Sequence, residues 1–287
     1  MPLPEAVLPT GAMHLVFMLS GRPLRLLDGP HDPIGEPIGL ALVGGARAAP
    51  LLRDISTPGA SVGAMLRVGA AQALFGVPAD ALTGRHVPLD ALWGPAAEIL
   101  LDRLRAVGDP LRRLALFEAA LLRRLARSDP PAPDPTVAEI LPALAGPTPI
   151  ATLAARAGVS DRHFIATFRA ASGLAPQRYR RLLRFRAALH GLARQPDTPL
   201  VDLALAAGYS DQPHWTREFQ EFAGMTPGQW RRASPRSPEH VPLSPLGPPG
   251  PHGLHGLHGP IAPVEPAHGQ FRSRSGTECR LQSLPSY

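Results

Sequence analysis

The chain has 287 residues, 44% of them apolar and 18% charged, with a formal charge of +6; that is long enough for two domains with cores of their own. A single cysteine, Cys279, excludes an internal disulfide, a zinc finger and a Cys-x-x-Cys redox pair. No apolar run reaches the ~18 residues of a spanning helix, and the opening MPLPEAVLPTG lacks the basic-then-apolar order of a signal peptide, so a cytoplasmic protein with no membrane partner is expected.

Residues 1–127 read as a first domain, β-rich and then helical. In MHLVFMLSG, Met13, Leu15, Phe17 and Leu19 share one face of a strand, with His14 and Ser20 on the other. PLRLLDG follows across Ser20-Gly21 and reads as the second arm of a hairpin. PIGLALVGG (37–45) and SVGAMLRVGA (61–70) are two further strands between Gly/Pro turns. After Arg67 the pattern turns helical, first over 94–108. The next helix opens on Asp109-Pro110, an acidic N-cap before a proline whose missing N–H costs nothing in a first turn. Leu111, Leu114, Phe117, Leu121 and Leu125 follow at spacings of three and four, a stripe suited to packing on the sheet or to a dimer seam.

SDPPAPDPT, 128–136, is a proline-rich linker, and residues 137–234 form a second domain. Residues 235–287 hold 11 Pro and 7 Gly with no apolar period, the composition of a disordered tail. Its His252, His255 and His258 read as low-complexity repetition. Charge divides with the domains. Residues 1–136 carry 13 Arg against 13 acidic residues, residues 137–234 carry 12 Arg against 7, and the chain has no lysine. The positive excess lies in the second domain and suits a polyanionic partner.

That domain contains one unit written twice. IATLAARAGVSDRHFIATF (150–168) sets Ile150, Leu153, Ala154 and Ala157 on the buried side of a short helix, and Gly158 permits a tight turn. Ser160 caps a second helix, whose inner face holds Phe164 and Phe168. The second copy has Leu200, Leu203, Ala204, Ala207, Gly208, Ser210, Trp215 and Phe219 in the same roles. Helix, glycine turn, helix is the helix-turn-helix pattern. Gly173/Gly224, Pro176/Pro227, Tyr179/Trp230 and paired arginines extend the match downstream. PQRYRRLLRFRAALHGL (176–192) joins the copies as a helix about 25 Å long. Major-groove openings on one face of a duplex recur every ~34 Å, so the two units can enter adjacent grooves.

With GYSDQPHWTREFQEFAGMTPGQWRR at 208–232, the segment 137–234 resembles the tandem helix-turn-helix domain of the AraC-type bacterial transcription regulators. The resemblance covers about a third of the chain. Upstream, LRVGAAQALFGVPADALTGRHVPLDALWGPAAEIL is similar to an uncharacterised sensor-type domain often found ahead of such modules. Effector domains of the family are often cupin-like barrels followed by helices. The resemblance therefore implies an α+β protein: a cupin-like unit with a helical hairpin, an all-α tandem helix-turn-helix domain, and the tail. It leaves room for one or two strands ahead of residue 1. It also implies a sequence-specific regulator whose partner is double-stranded DNA. RNA polymerase joins if the protein is an activator, with a small-molecule effector in the N-terminal domain and a homodimer as further partners. No cofactor is implied.

On the second copy's second helix, the positions outside the aromatic core are Gln212, Pro213, His214, Thr216 and Arg217. Gln pairs with adenine, Arg grips guanine O6 and N7, and Thr meets a base or a phosphate; the resemblance places base contacts on these same positions. The first copy's equivalents are Arg162, His163, Ile165, Ala166 and Arg169. Ile165 and Ala166 can only meet a thymine methyl, or pack internally, so the second copy is expected to read more sequence. Arg178, Arg180, Arg181, Arg184 and Arg186 on the connecting helix, with Arg231 and Arg232, are expected on phosphates. No dinucleotide fingerprint, Walker loop or nucleophile elbow occurs, so no catalytic residue and no enzyme are read. The competing reading is a metal-dependent cupin-like enzyme or sensor fused to a nucleic-acid-binding module. It has only His14 on a strand, and one histidine suits a structural role better.

Overall fold

The computed structural model describes residues 2–57, 59–127 and 135–243. Linker residues 128–134 and the tail from 244, with His252, His255, His258 and Cys279, lie outside the described residues. The N-terminal domain supplies β1 (Pro4–Val7), β2 (Met13–Met18), β3 (Leu24–Leu27), β4 (Glu36–Gly39), β5 (Ala41–Gly44), β6 (Leu51–Asp54), β7 (Ser61–Leu66) and β8 (His86–Pro88). With β9 (His240–Pro242) they form two antiparallel sheets, ordered β4-β3-β6-β1-β9 and β7-β2-β5-β8. This is the expected α+β order, strands first and helices after.

β2 shows the predicted alternation, with Met13, Leu15 and Phe17 buried. It does not form a hairpin with β3. Both ladder edges of β2 are taken, Leu15 standing opposite Val43 of β5 and Ala64 of β7. The chain instead turns at Gly21 and crosses to the other sheet, where β3 pairs with β4 and β6. The single strand expected over 37–45 is two, β4 and β5, one in each sheet. They part at Gly39, whose φ of 146° is one that side-chain-bearing residues rarely adopt.

Four helices follow: α1 (Ala70–Phe75), α2 (Asp90–Trp93), α3 (Ala96–Ala106) and α4 (Pro110–Arg127). Asp109 Oδ1 accepts the Arg112 N–H at 2.7 Å, as the expected cap does. The α4 stripe packs on the sheet: Phe117 meets Phe17 of β2 edge to face at 5.8 Å, and Leu121 is buried, while Leu111 at the helix start is exposed. The second domain contains α5 (Pro135–Ile140), α6 (Ile150–Arg156), α7 (Asp161–Ser172), α8 (Pro176–Arg194), α9 (Leu200–Ala206), α10 (Gln212–Ala223) and α11 (Pro227–Ala233).

One expectation fails after α11. Residues 235–243 do not belong to a disordered tail; they run back and add β9 to the edge of β1, Val241 opposite Ala6. Val241 is fully buried, Trp230 Nε1 donates to the Pro238 carbonyl at 3.1 Å, and His240 Nδ1 lies 3.1 Å from buried Glu5. Three paired residues with one apolar side chain make no detectable period, and the surrounding prolines hide them in the composition. Packing follows this return: one apolar cluster runs from Phe17 and Phe117 through Phe185 to Trp215 and Phe219. The first helix-turn-helix unit keeps its own cluster, around Val137, Ile140, Leu144, Phe164 and Phe168.

Candidate nucleic-acid interface

Each unit is built as its sequence requires. α6 and α7 meet across Gly158 (φ 71°), α9 and α10 across Gly208 (φ 80°). Nothing lies within 4 Å of where a Cβ would stand at either glycine, so backbone conformation alone demands the residue. Phe164 and Phe168 meet at a tilt with ring centroids 5.8 Å apart, Trp215 and Phe219 edge to face at 5.9 Å, and all four are fully buried.

The caps differ. Ser160 Oγ accepts the His163 N–H at 3.3 Å, three residues on. Three residues beyond Ser210 stands Pro213, which has no N–H to donate. The expected serine cap is therefore replaced by Asp211, whose Oδ1 accepts the His214 N–H at 2.6 Å. That bond also holds the Asp211 carboxyl below the usual carboxylate range. The two caps are thus 51 positions apart, and the second copy's extra residue lies in the turn ahead of its cap. The glycine turns are 50 positions apart, but from the aromatic core onward equivalent residues are 51 apart.

The buried aromatic core of each helix leaves the remaining positions to face outward. On α7, Arg162, His163, Ile165, Ala166 and Arg169 are all exposed, Ile165 by 43%; neither apolar residue is packed inside. On α10, Pro213 and Arg217 are exposed, whereas Gln212, His214 and Thr216 are half-buried. The His214 ring stands edge-on to Tyr209 at 5.3 Å, with Nδ1 at 3.1 Å from Ser210 Oγ. Gln220 is exposed on the same face as Arg217 and was missed by sequence reasoning. It is the counterpart of Arg169 at the 51-residue offset, which was the signal available.

The arginines of α8 mostly turn inward. Glu218, on the back of α10 and only 3% exposed, receives Arg181 Nε at 2.8 Å, Arg184 Nη2 at 2.8 Å and the Tyr209 hydroxyl at 2.8 Å. Burial alone would raise the Glu218 carboxyl; the hydrogen bonds from Arg184, Arg181 and Tyr209 hold it below the ordinary glutamate value instead. Burial and the Glu218 charge push the Tyr209 phenol up. Glu221 pairs with Arg178 at 2.5 Å and with Arg181. Arg186 lies 3.7 Å from Glu239.

Arg180 and Arg231, 51 positions apart, do the same thing in the two units. Arg180 Nη2 donates to the Thr148 carbonyl at 2.6 Å, and Arg231 Nη2 to the Thr198 carbonyl at 2.7 Å. Each ties its unit's closing helix to the loop that opens the unit. Of the seven arginines expected on phosphates, only Arg232 is exposed; the other six are half-buried.

The N-terminal β-rich region borders the exposed face of α7. Thr83 Oγ1 donates to the Gly173 carbonyl at 2.5 Å, and the Gly69 N–H to the Ala171 carbonyl at 2.9 Å. Asp80, in the 3-10 turn Ala79–Leu82, lies 3.9 Å from Arg169 and shares a shallow recess with Arg162, Ile165 and Ala166. His14 is neutral: burial, then the cations Arg47, His240 and Arg186, lower its imidazole to about 3. Among the described residues, no group of three or more His, Cys, Asp or Glu is placed to hold a metal ion, and no helix is long and apolar enough to cross a membrane.

Known proteins match both regions. Residues 153–233 match a helix-turn-helix domain family, and residues 1–88 match a domain of unknown function. The chain is 28% identical over 141 residues to the HTH-type transcriptional activator RhaR of Klebsiella pneumoniae, covering 46% of this chain and 50% of that protein. It is 37% identical over 84 residues to the HTH-type transcriptional regulator Rv1931c of Mycobacterium tuberculosis, covering 29% and 32%. A solved AraC-type transcriptional regulator from Chromobacterium violaceum aligns at 25% identity over 36% of this chain and 94% of its own, with a TM-score of 0.32. The chain spans half the length of the first of these curated relatives and about a third of the second.

Proposed function

We propose, on the premise that residues 153–233 are a helix-turn-helix domain of the AraC type, that the chain is a sequence-specific DNA-binding transcription regulator. One observation carries the reading. Two helix-turn-helix units with the same buried core flank a single 19-residue helix, α8, about 28 Å long. Such a spacer sets α7 and α10 for adjacent major grooves. α10 then supplies the base-reading groups Arg217 and Gln220, with Thr216 beside them. α7 supplies Arg162 and Arg169 around the apolar pair Ile165 and Ala166. Arg232 is the phosphate contact of this reading, and the α8 arginines that hold Glu218 and Glu221 act as scaffold for α10. The N-terminal domain is the regulatory part, taking a small effector. A homodimer and, for an activator, RNA polymerase complete the set of partners.

Selection of sites from a random DNA library with the full-length chain tests this directly. The expected product is a motif with two elements about one helical turn apart, the second more sharply defined. A library that emerges without an enriched motif sinks the proposal.

A further inference from the structure

Between the β-rich domain and the joint of α7 with α8 lies a cavity of about 280 Å³. Leu27, Leu51 and Leu52 form an apolar wall from the sheet side, and Leu174 closes it from the helical domain. Two guanidinium groups, Arg47 and Arg178, also line it, and no lining residue is acidic.

The two arginines are in different circumstances. Arg178 is engaged: Nη2 donates to the Ala48 carbonyl at 3.2 Å and Nη1 to Glu221 of α10 at 2.5 Å. Arg47 donates through Nη2 to the Val7 carbonyl at 3.1 Å, but its Nε is buried and meets no hydrogen-bond partner among the described residues. Burial first, and the Arg53 cation second, lower the Arg47 guanidinium to about 9. A half-buried cation with no acidic residue in the same cavity wall is poorly compensated. Here the side chain lines a cavity walled by leucines.

We propose that this cavity binds a small organic carboxylate with a compact apolar body, its charge set against Arg47 and its apolar part against the leucine wall. Arginine's planar donors match a carboxylate edge. The volume lies at the lower end of the ligand-cavity range, which limits the ligand to a compact body. Inorganic phosphate satisfies the charge but not the wall, and a neutral amide the wall but not the charge. Leu174 and Arg178 come from the helical domain, so an occupant touches both domains, and Arg178 carries its presence to Glu221 on α10. The regulator reading gives that contact its meaning; binding itself does not depend on it.

The test is calorimetric titration of the full-length chain, without DNA, by isovalerate, hexanoate and phenylacetate, with hexanamide and inorganic phosphate as comparisons. At least one carboxylate should saturate a single site, about tenfold or more tighter than hexanamide or phosphate. Arg47→Gln should weaken it by about tenfold or more. Ala49→Leu, which narrows the cavity and leaves both arginines, should weaken it too, and serves if Arg47→Gln does not fold. The proposal is overturned if no carboxylate binds, if hexanamide or phosphate binds as well, or if both variants bind like the parent. Because these titrations contain no DNA, their failure leaves the site selection intact, and the reverse also holds.

Discussion

In the first helix-turn-helix unit, the partner of α7 is the N-terminal β-rich region. Thr83 and Gly69 hold the last turn of α7, and Asp80 stands beside Arg169. In the second unit the partner is the connecting helix, whose Arg178, Arg181 and Arg184 hold α10 from behind through Glu218 and Glu221. The glycine turns, aromatic cores and carbonyl-binding arginines are common to both. The two copies share what makes the unit fold, while each copy's neighbours decide how its second helix is held. The second helix is braced by charge within its own domain; the first is braced by hydrogen bonds from outside it.

The largest expected effect comes from breaking the inner brace. Glu218→Gln leaves Arg181 and Arg184 facing a neutral amide. Breaking a fully buried pair costs about 3–5 kcal/mol; the arginines are 36% and 32% exposed, so about 2 kcal/mol is expected here. Urea unfolding measures it. The equivalent position in the first unit is Thr167, which forms only a 3.4 Å contact with His163, and Thr167→Ala should cost under about 0.5 kcal/mol. Equal losses at the two positions would break the comparison. Acid provides a second reading. The Glu218 carboxyl lies below its ordinary value when folded, so its contribution is complete above the unfolded value. It is lost as pH falls through the lowered folded value, and Glu218→Gln should show a correspondingly shallower acid-side decline.

Next in size is the division of base reading. Arg217→Ala should cost about 1–3 kcal/mol of DNA affinity and relax preference at one base pair. Ile165→Ala, at the position matching Thr216, removes only apolar contact and should cost about 1 kcal/mol or less. Fluorescence anisotropy on the selected site and its single-base variants compares the two. A larger loss at Ile165 would reverse the assignment of the more discriminating helix.

Much of this was legible because the unit is repeated. Phe164, Phe168, Trp215 and Phe219 reveal the core by spacing alone, and Gly158 and Gly208 mark the turns. Geometry was readable where one residue determined it: Asp109 caps α4 as expected. Partnerships across long sequence distance were not. An arginine on an amphipathic helix looks the same whether it faces a phosphate or Glu218 thirty-odd residues on. The return of Val241 to β1 spans more than two hundred residues and leaves three residues of pattern. Even Ser210 misled, since its capping capacity depends on the N–H that Pro213 lacks.

A smaller effect separates the adjacent arginines that close the second unit. Arg232→Ala should weaken all DNA sequences alike and lower the salt slope by about one. Arg231→Ala, which loses the Thr198 carbonyl bond, should instead cost about 1 kcal/mol of stability with the slope retained. Binding isotherms from 50 to 200 mM salt distinguish them, and a slope change in Arg231→Ala equal to that in Arg232→Ala would join the two residues in one role.

The smallest effect concerns the outer brace. The Arg169 side chain is 63% exposed and its distance to Asp80 is 3.9 Å, so the pair contributes well under about 1 kcal/mol. Asp80 matters more as a negative charge beside a surface assigned to DNA. Asp80→Ala should tighten DNA binding by about two- to threefold at low salt, and the gain should fade as the screening length shortens below ~10 Å. Thr83→Val supplies the contrast, since it removes the donor to the Gly173 carbonyl but no charge. Its effect on affinity should be independent of salt. If the two variants respond to salt alike, Asp80 acts by holding the domains together, and the first reading helix is limited by docking rather than by charge.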